Sequence, residues 1–158
     1  MATWTDLVVA EPRLAKKLQD LFHQYGAGFG YLATVRRNGA PRVHPVSPII
    51  ADGGVFCFVM DSPKRRDLER NGLYALHSYP AETTEDEGYL AGHARVVADL
   101  RRKDALAAAY RAEPLVDWRL FELEIEVAML VTHVGRNRVR QPRIWRAPPV
   151  RASHDLAG

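Results

Sequence analysis

Cysteine is almost missing from this chain: among 158 residues the only one is Cys57, inside the apolar run "VFCFVM". No internal disulfide can staple the fold, which fits a reducing compartment, and a small buried apolar residue is the plain reading of Cys57, ahead of a nucleophile. Long hydrophobic runs are missing too. No window approaches the roughly 18 apolar residues of a membrane span, and the opening "MATWTDLVVAEPRLAKK" has no basic segment leading into a long apolar one. A soluble, cytoplasmic chain with no membrane partner is expected. Excess charge is scarce, with 22 Lys and Arg against 19 Asp and Glu and a formal net charge of +3, so no nucleic-acid partner is expected either. The six histidines, His23, His44, His77, His93, His133 and His154, form no helical pair and join no cysteine pair at ligand spacing, so no metal site is expected. Walker loops and Gly-x-Ser-x-Gly elbows are absent. The glycine-rich "GAGFGYL" leads into a strand instead of joining a strand to a helix, which removes a dinucleotide-binding reading.

What is present is enough for one domain with a real core, since roughly two-thirds of the unfolded surface can be buried at this length. Hydrophobic residues at 47% and charged residues at 26% are ordinary for a globular chain. One domain over 1–158 is expected, with 1–27 as an N-terminal helical segment and 142–158 as a partly ordered tail. Leu14, Leu18, Leu21, Phe22 and Tyr25 recur at helical spacing between Pro12 and Gly26. After them come two β-type segments around "RRNGAP", in which Asn38-Gly39 is a strong hairpin signal, and a further turn at "ADGG" before "GVFCFVM".

The stretch "DSPKRRDLERNG" then predicts a short helix. Asp61 or Ser62 caps it, Pro63 takes its first position, and Asn71-Gly72 ends it in a left-handed turn. "LYALHSY" and "GYLAGHARVVADL" read as strands, "RRKDALAAAYRAEP" as a helix ending at Pro114, and "WRLFELEIEVAMLVTHVG" as a half-exposed strand alternating Leu120, Glu122, Glu124 and Glu126 with Phe121, Leu123, Ile125 and Val127. Six strands with two or three helices suggest a mainly β, α+β architecture, a small closed barrel.

Basic side chains cluster twice, at Lys64, Arg65, Arg66 and Arg70 and again at Arg136, Arg138, Arg140, Arg143, Arg146 and Arg151, opposite the acidic loop "AETTEDEG". Local clusters on a nearly neutral chain suit a small anionic ligand. At the predicted helix start, backbone amides, Ser62, Lys64 and Arg65 together offer a phosphate site. A solvated helix face, with Asp67 and Glu69 compensating the charge, is the competing reading.

The order of motifs resembles the pyridoxamine 5'-phosphate oxidase-like split-barrel flavoproteins: Ala33-Thr34, Gly39-Ala40-Pro41, Pro45-Val46, Gly53-Gly54, Ser62-Pro63-Lys64, Leu68 and Asn71, followed by the Gly-x-Ala strand "AGHARVVAD". The resemblance covers about two-thirds of the chain and implies a six-stranded antiparallel split β-barrel, homodimeric, with cofactor sites at the subunit interface. It implies a phosphate held by Ser62, Lys64 and Arg65, and a ring lined by Val43, His44, Pro45, Val46 and Ser47, where His44 either meets a ring heteroatom or is an ordinary strand histidine. It also implies that Arg143 and Trp145 of "RQPRIW" reach an anion and a ring in the partner's site, with an interface core role as the alternative for Trp145. The short chain with its arginine-rich tail is similar to relatives that use FMN or the deazaflavin coenzyme F-420, whereas the substrate segment of the B6 oxidases has no counterpart here. The expected function is therefore a flavin- or deazaflavin-dependent oxidoreductase acting on a small-molecule substrate, with a non-catalytic flavin or haem carrier as the alternative. No catalytic side chain is assigned; Tyr31, His44 and Tyr79 are the proton-donor candidates.

Overall fold

The computed structural model describes residues 1–134 and 139–149. Two helices open the chain, α1 (Trp4–Ala10) and α2 (Pro12–His23), the first held by a capping box in which Thr3 and Asp6 satisfy each other's backbone amides. Eight strands follow: β1 (Gly30–Val35), β2 (Pro41–Val46), β3 (Ile49–Ala51), β4 (Gly54–Met60), β5 (Leu73–Ser78), β6 (Glu87–Val96), β7 (Trp118–Val134) and β8 (Val139–Arg146). Helix α3 (Pro63–Asn71) sits between β4 and β5, and α4 (Leu100–Ala109) between β6 and β7. All pairings are antiparallel, in the order β2-β1-β5-β6-β7-β4-β3, with β8 added on β7.

The six strands expected from the sequence become eight for two physical reasons. The second expected strand breaks at Ser47-Pro48, where proline has no N–H to give a ladder. Its halves, β2 and β3, then take opposite ends of the sheet order, so a two-residue crossover joins the two ends and the sheet curls into a half-barrel. The second extra strand, β8, runs through Arg146 and pairs with Val127–Val134, so residues 142–146 of the expected tail lie in the sheet. Arg136, Arg138, Arg151 and His154 lie outside the described residues.

The sheet wraps a core closed by α1 and α2. Leu14, Leu18 and Phe22 of α2 meet Leu32, Leu76, Leu90 and Ile125 of the strands, all at most 1% exposed, and each such side chain contributes about 1.5–3 kcal/mol on burial. β4 has two apolar faces. Val55, Cys57 and Val59 point into this main core, whereas Phe56 joins Ile49, Leu106 and Leu120 in a smaller cluster under α4, against which Phe58 packs. β4 therefore separates the main core from the side on which a cavity opens.

Alternation along β7 slips once. β6 and β7 shift register between Ala91 and Gly92, which pair with Val127 and Ile125, and Glu126 is left over as a bulge. Inward positions accordingly change from Phe121, Leu123 and Ile125 to Ala128 and Leu130, all buried, so the even-against-odd pattern read from the sequence holds only up to the bulge. A Cβ on Gly92 would lie 2.1 Å from the Glu124 carbonyl oxygen, so glycine is required where the strands close in.

Candidate functional site

Helix α3 is built as its sequence predicts. Ser62 is the N-cap, its Oγ accepting from the Arg65 N–H at 3.4 Å and donating to the Met60 carbonyl at 3.0 Å. Pro63 occupies the first turn, and Gly72 ends the helix at φ +67° with its N–H on the Leu68 carbonyl. The capping places Lys64 in the wall of a cavity of about 510 Å³, within the range of small-molecule sites.

Four stretches distant in sequence wall this cavity. The β2–β3 crossover contributes Pro45, Val46, Ser47, Pro48 and Ile49, and β4 adds Phe58 and Met60. The end of α2 and its loop contribute His23 and Gly26 to Gly28, while Tyr110, Ala112 and Trp118 close the far side. Two details hold the walls together. A Cβ on Gly28 would sit 1.8 Å from the Pro48 carbonyl oxygen, so the loop backbone lies directly on the crossover. Phe58 and Trp118 pack edge to face at 6.5 Å. The result is a largely apolar slot with a cation, Lys64, and the hydroxyl of Ser47, a combination suited to a flat ring carrying an anionic group.

Of the residues expected at a cofactor, Pro45, Val46, Ser47 and Lys64 line the cavity together. His44 is next to them and points the other way from Pro45, inward. Its Nε2 is buried without a hydrogen-bond partner, and burial, with Lys64 and Arg42 nearby, holds its pKa below the ordinary 6.5. Val43 turns to the outer face of the sheet and is 60% exposed. Ser62 spends its hydroxyl on the cap. Arg65 is not brought to the cavity: it is 8% exposed, its Nη1 donates to Asp117 Oδ2 at 2.9 Å and to the Asp117 carbonyl at 3.1 Å, and its Nε reaches Glu69 at 3.3 Å. Those bonds raise its pKa, lower that of Asp117, and tie α3 to the start of β7.

Arg143 pairs with Glu11, and Trp145, half-buried, packs on the main core; neither lines the cavity. Tyr31 and Tyr79 stack at 5.5 Å away from the cavity lining. Burial pushes the Cys57 thiol up to about 12, which makes it inert as a nucleophile. Sequence reasoning missed His23, Gly28, Phe58, Met60 and Trp118. The period-2 phase of β4 carried a signal for Phe58 and Met60; nothing local marks Trp118.

No family model and no curated protein sequence matches the chain. Solved structures do. The heme binding protein from Mycobacterium smegmatis superposes with a TM-score of 0.60 at 20% identity, covering 84% of this chain and 58% of that one, so this chain spans little more than half the length of that protein. General Stress Protein 26 from Bacillus anthracis gives 0.61 at 19% identity over 84% and 97% of the two chains. PhzG from Burkholderia lata, solved in complex with tetrahydrophenazine-1-carboxylic acid, gives 0.63 at 15% identity over 92% and 88%. A Clostridium acetobutylicum protein described as related to general stress protein 26, of the pyridoxinephosphate oxidase family, gives 0.59 at 12% over 90% and 95%. The fold of this chain is that of the pyridoxamine 5'-phosphate oxidase-like split barrels.

Proposed function

We propose that the cavity binds a flavin-type cofactor, FMN or the deazaflavin coenzyme F-420, and that the chain works as an oxidoreductase on a small-molecule substrate. The observation that carries this reading is the meeting of Lys64 and the capped start of α3 with an apolar slot walled by Pro45, Val46, Phe58, Met60 and Trp118. The donor set fits such a group. Lys64 would hold the phosphate, and the buried, unpartnered Nε2 of His44 would gain a partner from an anion placed beside Lys64. The crossover residues Pro45 to Pro48 would lie along the ring and exclude water from it. When bound, the cofactor supplies hydride transfer, so no protein nucleophile is needed.

The same reading includes a homodimer. Val43, Ala33, Ala75, Ala91 and Val127 pair in one row across five strands on the outer face of the sheet, with Pro45, Tyr31, His77, Tyr89 and Met129 in the next. A face made mostly of apolar and aromatic side chains suits a second copy, whose Arg143 and Trp145 would then complete the site.

One observation favours a second reading, a non-catalytic haem carrier. His23 lines the cavity with its Nδ1 on the Gln19 carbonyl at 3.1 Å, which leaves Nε2 as a ligand atom, and a heme binding protein is among the similar structures. Separate titrations with FMN, F-420 and haem distinguish the two. The oxidoreductase reading expects micromolar or tighter binding of FMN or F-420, weakened about ten- to hundredfold by Lys64→Ala, and a spectrum that bleaches with a reductant and recovers with an acceptor. Haem binding lost on His23→Ala, with no flavin binding, overturns it. Sedimentation as a monomer at micromolar concentration removes the homodimer.

A further inference from the structure

Helix α3 borders a groove on a second face. Pro63, Arg66, Asp67 and Arg70 follow the i, i+3, i+4, i+7 stripe, and with Arg42 and the β1–β2 turn they line a groove of about 370 Å³. Lys64, about 100° further round the helix, lines the cavity instead.

At the base of the groove lies Asp67, 3% exposed. One of its oxygens accepts from Arg42 Nε at 2.8 Å and Thr34 Oγ1 at 3.0 Å, and the other accepts from Arg70 Nη2 at 3.1 Å. Arg70 also donates to the Val35 carbonyl. A single buried carboxylate thus holds two guanidiniums in place before any ligand arrives, and their remaining N–H donors lose little freedom on binding. Arg66 reaches Asp61 at 2.9 Å, but both ends are mostly exposed and the pair is easily exchanged. Arg36 and Arg37 line the groove with no carboxylate partner among the described residues. Five guanidiniums against Asp61 and Asp67 leave three positive charges uncompensated, as many as the formal net charge of the whole chain. One carboxylate or one phosphate would occupy one or two of these forks. Filling the groove takes an anion with several charged centres in a row, and guanidinium forks match phosphate oxygens in pairs. Among the described residues no aromatic side chain lines the groove, so it has no platform for a base or a ring.

We propose that this groove is an oligophosphate-binding site, recognising two or more linked phosphates by their charge and separate from the ring-binding cavity. The probe is tripolyphosphate, titrated calorimetrically into the full chain at constant ionic strength beside inorganic phosphate. Tripolyphosphate is expected to bind at least about tenfold more tightly than phosphate. The double variant Arg37→Ala/Arg66→Ala, both at exposed positions outside the core, is expected to lose about tenfold or more in affinity, and Lys64→Ala to stay within about twofold, because its side chain faces the cavity. Circular dichroism of the double variant confirms folding. Three results overturn the proposal: equal affinity for tripolyphosphate and phosphate, loss of binding in Lys64→Ala with the arginine variant unaffected, or displacement of tripolyphosphate by a short single-stranded oligonucleotide that binds more tightly. The second assigns the anion to the cavity; a failed flavin titration leaves the groove result standing.

Discussion

Replacing Asp67 by asparagine tests the electrostatics of α3 directly. The carboxylate is buried, and burial alone would raise its pKa, but hydrogen bonds from Arg42, Thr34 and Arg70 together outweigh that effect and hold it below the ordinary 3.8. The amide keeps the shape and can keep the Thr34 bond, while both arginines lose their counter-charge. Breaking a fully buried ion pair costs about 3–5 kcal/mol. Here the Arg42 and Arg70 side chains are 24% and 35% exposed, so water partly re-solvates them, and we expect about 2–3 kcal/mol. Urea unfolding at fixed protein concentration is the assay; with a slope of about 1–3 kcal/mol per molar, the midpoint falls by about 0.7–3 M. The pH dependence has a definite sign. Because the folded-state pKa is depressed, the unfolded chain takes up the proton first, so the contribution is complete above 3.8 and is lost as pH falls through the lower folded value. The gap between wild type and Asp67→Asn should hold from pH 7 to about 5 and narrow below about 4. A loss under about 0.5 kcal/mol at pH 7, or a gap unchanged at pH 3, refutes the reasoning.

His44 carries the opposite charge change. Its pKa is depressed first by burial and then by Lys64 and Arg42, so the folded state favours the neutral ring; its contribution is complete above 6.5 and declines as pH falls from there toward the folded value. An NMR titration should find the ring titrating below 6.5, and Lys64→Ala should move it upward; no movement would separate the two residues. Two glycines contrast sterics with conformation. Gly92→Ala places a methyl 2.1 Å from the Glu124 carbonyl oxygen and should cost several kcal/mol or abolish folding. Gly39→Ala meets nothing within 4 Å but requires φ +83°, for about 1 kcal/mol, or about 2–4 °C in thermal unfolding. Equal effects of the two would contradict the close approach at the bulge.

The legible parts of the fold are those set by local chemistry. α3 follows from Ser62, Pro63 and Gly72, the β1–β2 hairpin from Asn38-Gly39, and α2 from its leucine stripe. β8 was not legible because nearly all its residues are exposed and show no alternation; it is a strand only because β7 supplies a partner. The split at Ser47-Pro48 was legible as a proline, but its outcome, strands at opposite ends of one sheet, is a property of closure. The cavity divides in the same way. Pro45, Val46, Ser47 and Lys64 come from two motifs readable in sequence, whereas His23, Gly28 and Trp118 reach it through topology.

The basic cluster shows why charge density in a sequence does not locate a site. Lys64, Arg65 and Arg66 are consecutive, and a helix turns about 100° at each step, so three like charges leave in three directions. Lys64 enters the cavity, Arg65 is neutralised against Asp117 and Glu69, and Arg66 borders the groove with Arg36 and Arg37. The neutralised one is the strut: by binding Asp117, the residue before β7, Arg65 ties α3 to that strand. The three side chains of "KRR" therefore do not meet at one place: Lys64 lines the cavity and Arg66 the groove, while Asp117, the carboxylate that pairs with the middle one, lies 52 residues further along the chain.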